Sequence, residues 1–254
     1  MISGTGLQAA DNGVPVVISR AESRTLTPMQ QVAGTLISRN DTRLAAQVEG
    51  QVVWVADVGT QLASGEAATR LDDTLVREEL AENEASILRA QASVEFSRAE
   101  LRRLERLAEK SHAAESRLDQ VRLDLAVARS ELSVARARTS RSREKLERTS
   151  IRAPFNGVVT ERFIQTGEWA DAGTAVVRLV DTTALEVQAW VPVVMLPYIQ
   201  SGMVLDFSAN TTEGSGRVRT LVPVGDRQSR LYEVRLAVDA DGWSSGQGVR
   251  ISIP

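Results

Sequence analysis

Few residues in this chain have types and spacings suited to chemistry. His112 is the only histidine and stands near Glu109 and Glu115. An imidazole among carboxylates can bind a metal or change charge near neutral pH. One imidazole, however, supplies too few ligands for a metal centre unless neighbouring copies converge on it. Cysteine is absent, which removes disulfides, thiol nucleophiles and thiolate metal sites together. No Ser/His/Asp set can be built around the lone histidine, and no phosphate-cradling glycine loop or metal-spaced cluster is present. The sequence thus predicts a protein that is not an enzyme, with no catalytic residue, no cofactor and no metal. Arg136, Arg138, Arg141, Arg143, Lys145 and Arg148 form a basic run of the kind that contacts phosphates. The whole chain nevertheless balances 30 basic against 33 acidic residues, a net charge of −3, so no nucleic acid partner is expected.

The elements that hold these residues are easier to read. From Asp73 to Thr149 there is neither Gly nor Pro, while both flanks are punctuated by glycine, which predicts a long helical block. Two heptad series run through it. Leu80, Ile87, Val94, Leu101 and Ala108 recur with Asn83, Ala90, Ser97, Leu104 and Ser111. Leu118, Leu125, Leu132, Thr139 and Leu146 recur with Val121, Ala128, Ala135, Ser142 and Thr149. Each reads as the seam of a coiled coil. The two are out of register between 108 and 118, so the block is expected to fold back as an antiparallel hairpin with its turn at Ser111 to Ala114. Charge favours the same arrangement. Glu78, Glu79, Glu82 and Glu84 would meet Arg141, Arg143, Lys145 and Arg148 at one end, and Arg102, Arg103, Arg106 and Lys110 would meet Glu115, Asp119 and Asp124 at the other. Each helix is also expected to begin with acid and end with base, as the helix dipole favours.

The flanks of the hairpin repeat each other. Gly50, Gly59, Gly65 and Leu71 before it align with Gly157, Gly167, Gly173 and Leu179 after it. Short apolar runs between glycines read as strands, and neither half is long enough to bury a core alone, so the halves are expected to pair into one small β sandwich. Pro154 is expected to end the helical pattern, and Asn156-Gly157 to form a tight turn with positive φ. Beyond Leu185, alternating apolar residues in four runs predict a small antiparallel β barrel, completed by a strand from Val32 to Ile37.

Half-motif, helical hairpin, matching half-motif, barrel: this order resembles the periplasmic adaptor (membrane-fusion) family of tripartite efflux pumps, most closely the branch coupled to resistance-nodulation-division transporters. The most specific segment is Leu146 to Val159, which looks like the family's helix-exit signature through Ile151, Ala153, Pro154, Phe155 and Gly157. Val48, Gly50, Val52, Gly59, Gly65, Leu71 and Asp72 match the first half-motif, and Arg230 matches more loosely an arginine that enters a barrel strand. The resemblance implies an α+β fold in which an antiparallel coiled-coil α-hairpin is inserted in a lipoyl-like β sandwich followed by a small antiparallel barrel, elongated and multi-domain. It also implies a layout. Residues 1–40 form an N-terminal segment with a partial membrane-proximal strand and a barrel strand, 41–73 the first lipoyl-like half, 74–149 the hairpin, 150–182 the second half and 183–254 the barrel. A true lipoyl or biotinyl carrier presents a lysine on a short hairpin between its halves. Neither half here contains lysine, so the carrier reading is rejected.

By the same resemblance, the function is that of an adaptor linking an inner-membrane efflux transporter to an outer-membrane channel in a Gram-negative cell, with copies joined in a ring, as a hexamer. The family's channel-docking pattern at the hairpin tip falls on Arg103 and Leu107, but its serine is replaced by Ala114, which offers no side-chain oxygen to cap the second helix. Alternatives are an adaptor of an ATP-driven export system and a coiled-coil scaffold without a transport role. The first twenty residues lack a signal peptide, so a removed targeting segment, a periplasmic location with inner-membrane anchoring, and a further membrane-proximal domain are expected of the full-length protein.

Overall fold

The computed structural model describes residues 29–108, 115–226 and 229–254. Strand β1 (Gln30–Ser38) is followed by β2 (Asp41–Ala45), β3 (Gly50–Val55), β4 (Gln61–Leu62) and β5 (Ala67–Leu71). Helices α1 (Thr74–Ala108) and α2 (Glu115–Arg148) come next. They lead into β6 (Ser150–Arg152), β7 (Gly157–Arg162), β8 (Trp169–Ala170) and β9 (Ala175–Val180). The chain finishes with β10 (Leu185–Pro192), β11 (Val204–Ala209), β12 (Thr212–Leu221), β13 (Leu231–Val238) and β14 (Gly248–Ile253).

The helices pair antiparallel. Lys145 Nζ lies 3.0 Å from Glu79 Oε2 and Arg143 Nη2 2.9 Å from Glu84 Oε1, joining the start of α1 to the end of α2. Beneath these ion pairs, the Asn83 amide donates to Ser142 Oγ at 2.8 Å, a polar pair inside the seam that opposes slippage. Val94, Leu125 and Ala128 are buried with Leu101 and Leu132 against them. Every heptad position from Leu80 to Leu104 and from Leu118 to Thr149 is buried or half-buried, as their spacing predicts. The turn expected at Ser111 to Ala114 lies outside the described residues, as do Lys110 and His112. At about 1.5 Å per residue, each helix runs on the order of 50 Å. Spin labels at Ala85 and Arg141, which are level and exposed, should therefore sit about 15–25 Å apart, an interhelix spacing plus the label arms. A separation of several tens of ångströms in a dipolar spectrum would instead mean one continuous helix.

Two expectations about charge need correcting. The first turn of α1 contains no acid. Its amides are served from outside, where Asp72 Oδ1 accepts from Thr74 N at 3.0 Å and from Thr74 Oγ1 at 2.7 Å. Near the tip, among the described residues, no ion pair crosses between the helices. Arg103 bonds Glu100 and Arg122 bonds Asp119, each within its own helix. Partners three residues away lie on the same face, and these side chains point away from the seam, so the local pair forms first.

Two four-stranded sheets, β2-β9-β7-β4 and β6-β5-β3-β8, take strands from both sides of the hairpin and share one apolar core that includes Val52, Leu62, Val159 and Leu179. The halves interlock reciprocally. Gly59 N donates to Val159 O at 2.8 Å while its counterpart Gly167 N donates to Val52 O at 2.7 Å; Gly65 N donates to Ala153 O and Gly173 N to Ala46 O, both at 2.8 Å. These four glycines have φ between +84° and +95°, a region that glycine enters without steric cost. Neither half can satisfy its backbone without the other.

The remaining strands close a barrel in the order β1-β10-β13-β12-β11-β14. β1 completes it by pairing with both β10 and β14. Leu185, Val187, Ala189 and Val191 point inward with Leu36, Phe207, Leu236 and Ile251, and a short 3-10 turn, Val193–Tyr198, sends Met195 into the same core. Two crossings connect barrel to sheets and are tied together. Ser38 Oγ donates to Asp181 O at 2.6 Å and Asn40 Nδ2 to Asp181 Oδ2 at 2.9 Å, while Asp181 Oδ1 accepts from Thr183 and Ala184. Burial alone would raise the Asp181 pKa, but the bonds from Asn40, Thr183 and Ala184 together outweigh it and hold the carboxyl below its ordinary value.

Candidate functional site

In the last two turns of α1, Arg103 and Leu107 stand one turn apart. Both are exposed, Leu107 by 54% and the Arg103 side chain by 65%. Among the described residues, Arg103 makes one ion pair, the 2.8 Å bond from Nη2 to Glu100 Oε1, which leaves its other donors available to a partner. An apolar side chain beside a guanidinium on one helix face can meet a partner's carboxylate or carbonyl and fill an adjacent notch at once. Ala114, the third member of the sequence-derived set, lies outside the described residues. So does His112, the residue on which any metal or pH-sensing role depended. Among the described residues, no group of three or more His, Cys, Asp or Glu could hold a metal ion.

The motif residues sit at the base of the hairpin. α2 ends at Arg148, before Pro154 rather than because of it. Thr149 Oγ1 donates to Leu146 O at 2.7 Å, and Leu71 N captures Thr149 O at 2.8 Å, which turns the chain into β6. Ala153 is buried, Pro154 exposed and Phe155 packed against the two-sheet core. Gly157 is not a positive-φ turn residue as expected. Its constraint is space: a Cβ there would lie 2.7 Å from the carbonyl oxygen of Val180 in β9. Gly50, its counterpart, is less crowded, with Leu71 Cβ at 3.3 Å. Arg230 enters β13 with φ +58°.

One constellation escaped the sequence reading. Glu186 occupies an outward position of β10, where alternation predicts solvent, yet it is only 1% exposed. Arg219 covers it, with Nε 2.5 Å from Oε1 and Nη2 donating to Oε2 at 3.0 Å, while Arg235 and Arg39 lie 3.7 and 3.9 Å away. A buried carboxylate needs such partners, and these come from three separate stretches of chain, so no local pattern announces them. The arginines roof the barrel surface beside the crossings at Arg39 and Asp181. The cluster is a structural brace, since each guanidinium is directed at a carboxylate.

No family model matches the chain. Among curated proteins, nodulation protein NolF of Rhizobium meliloti is 24% identical over 245 residues, covering 93% of this chain and 67% of that protein. The chain spans about two thirds of the length of the curated relatives it matches. Among solved structures, the membrane fusion protein Spr0693 of Streptococcus pneumoniae R6 superposes with a TM-score of 0.70 at 15% identity, over 89% of this chain and 98% of that one. A MacA–MexA chimera containing the Pseudomonas aeruginosa MexA α-hairpin domain gives 0.66 at 16%, over 90% and 82%. Helical hairpin, closed six-stranded barrel and these neighbours agree: the chain has the fold of the membrane-fusion, or periplasmic adaptor, proteins.

Proposed function

We propose that this chain is the adaptor subunit of a tripartite multidrug-type efflux pump and works in the periplasm, joining a resistance-nodulation-division transporter of the inner membrane to an outer-membrane channel. The observation that carries the reading is the insertion of a hairpin of about 50 Å between two half-motifs that close on each other, which presents the tip far from the sheets and barrel. A free-standing coiled-coil scaffold has no need of that closure. In this reading the two-sheet unit is the lipoyl-like sandwich, with its halves at 41–73 and 150–182, the hairpin at 74–149 and the barrel at 183–254. The segment 1–40 supplies the barrel strand β1, and the membrane-proximal strand expected of it lies outside the described residues. Arg103 and Leu107, with Ala114 at the tip, dock the channel, and the barrel end faces the transporter. Copies surround the conduit as a ring, taken as a hexamer, anchored to the inner membrane in the full-length protein. The chain does no chemistry, and its work is positional. No helix among the described residues is long and apolar enough to cross a membrane. Affinity purification of the full-length protein from gently solubilised membranes should bring down a transporter and a channel. Recovery of the protein alone, under conditions that keep other membrane complexes intact, would overturn the reading.

A further inference from the structure

The barrel and the two sheets have separate apolar cores that share no residue, and two such units swivel against each other unless something stiffens the joint. What joins them is a two-stranded ribbon. β1 pairs with β10 as far as Ser38 opposite Leu185, and β2 pairs with β9 from Asp41 opposite Val180. Between those levels two residues of one strand, Arg39 and Asn40, face four of the other, Asp181 to Ala184. The ladder does not lapse there. Arg39 N donates to Ala184 O at 2.8 Å and Asp181 N to Asn40 O at 2.9 Å, so the ribbon runs from one unit into the other with its surplus taken up as a bulge. A bulge bends its strand.

One side chain holds both sides of the bulge. Asp181 is only 6% exposed, and its Oδ1 accepts from Thr183 N at 2.8 Å, Thr183 Oγ1 at 2.7 Å and Ala184 N at 3.2 Å, an Asx turn that gathers the surplus residues within their own strand. Its Oδ2 reaches across the ribbon instead, accepting from Asn40 Nδ2 at 2.9 Å. Ser38 Oγ adds a second stitch, 2.6 Å from Asp181 O and 3.0 Å from Asn40 O. The donors to the carboxylate are all uncharged, and among the described residues it makes no ion pair. Swivelling the units would draw Asn40 away from a buried carboxylate that has no cation to fall back on, and leaving a charged acceptor short of donors is costly. The bend is therefore held by a directional bond where the two cores supply no shared packing.

We propose that the Asn40–Asp181 pair is a latch that fixes the bend between the barrel and the two sheets, so that the two units turn as one body. With the latch open, the crossings become two single tethers and the barrel swivels. The latch belongs to the chain by itself. Only its use rests on the adaptor reading, in which a movement imposed on the barrel carries the sheets, and the base of the hairpin with them, instead of being lost at the joint.

The absence of cysteine makes the test direct. The whole chain carrying Thr160→Cys in β7 and Ser215→Cys in β12, both exposed, can be spin-labelled at those two sites alone. Its dipolar spectrum should show one narrow distance distribution, and adding Asp181→Ala should replace that peak with a broad distribution. A second pair inside the barrel, Trp190→Cys with Ser215→Cys, should stay narrow in the same variant, because the barrel core is untouched. If the inner pair broadens as well, Asp181→Ala has unfolded the barrel, and Asn40→Ala, which removes only the bond across the ribbon, decides by the same two pairs. A broad distribution between the units in the parent chain overturns the latch, since the joint would then swivel with its bonds in place. So does a narrow one that survives Asn40→Ala, since something other than this pair would then hold the bend. These spectra read the purified chain, so they stand apart from whether a transporter and a channel co-purify, the result on which the adaptor reading depends.

Discussion

Cells carrying Arg103→Asp are expected to lose efflux entirely, with drug sensitivity equal to that of a strain lacking the gene, while the purified variant keeps its helix content and melting temperature. The side chain is 65% exposed and its one ion pair among the described residues is local. Losing such a pair costs about 0–1 kcal/mol, and the new like-charge pair with Glu100 adds about 0.2–0.5 kcal/mol more. In the proposed docking the effect is large, because the guanidinium of Arg103 can make a forked, charge-assisted bond that Leu107 and Ala114 cannot, and reversing its charge turns attraction into repulsion. Ala114 itself brings no hydroxyl to the patch. His112→Ala should do far less. If Arg103→Asp cells keep full resistance and the channel still co-purifies, the arginine is only a solvated surface residue.

The largest stability effect is expected at Gly157. Gly157→Ala should lower the free energy of unfolding by about 2–3 kcal/mol, the upper range for overpacking a core, because the new methyl group would lie 2.7 Å from the Val180 carbonyl oxygen and 3.1 Å from Leu179 Cγ. Both belong to β9, which is held between β2 and β7 and cannot retreat. Gly50→Ala is its control at the matching position of the repeat. There the methyl group meets Leu71 Cβ at 3.3 Å, which a shift of a few tenths of an ångström relieves, so a loss of about 1 kcal/mol or less is expected. Urea titrations of the two variants decide the point, and equal losses would mean that the crowding at Gly157 is not what its glycine answers.

The comparison of those two glycines shows how far the repeat can be read without coordinates. Aligning the half-motifs pairs Gly50 with Gly157, and Gly59 and Gly65 with Gly167 and Gly173, and the latter four do share one left-handed conformation. Alignment alone cannot say that Gly157 is needed for space rather than for φ, because the obstructing oxygen belongs to a strand twenty-three residues later in the chain. The seam was legible for the opposite reason. Leu80 to Leu104 and Leu118 to Leu146 recur every seven residues, and a helix converts that local period into a stripe with no outside help. The fold-back followed from the register break and from Glu79 and Glu84 mirroring Lys145 and Arg143.

Among the described residues, the tip charges do not pair across the hairpin as expected, because such pairing depends on which way each side chain leaves its helix. Arg103 and Arg122 had closer partners three residues away. Glu186 was invisible for a similar cause. Strand alternation places it on the outside of the barrel, and only the closed sheet brings Arg219 and Arg235 from β12 and β13 over it, with Arg39 arriving from the crossing. By itself, then, the sequence determined what depends on near neighbours: helix, seam, strand alternation, turn glycines, the repeat and the order of the parts. Tertiary structure alone decided which groups from distant stretches meet, namely the reciprocal bonds between the half-motifs, the crowding at Gly157 and the burial of Glu186. Those depend on distances through space, and a period along the chain has no means of encoding them.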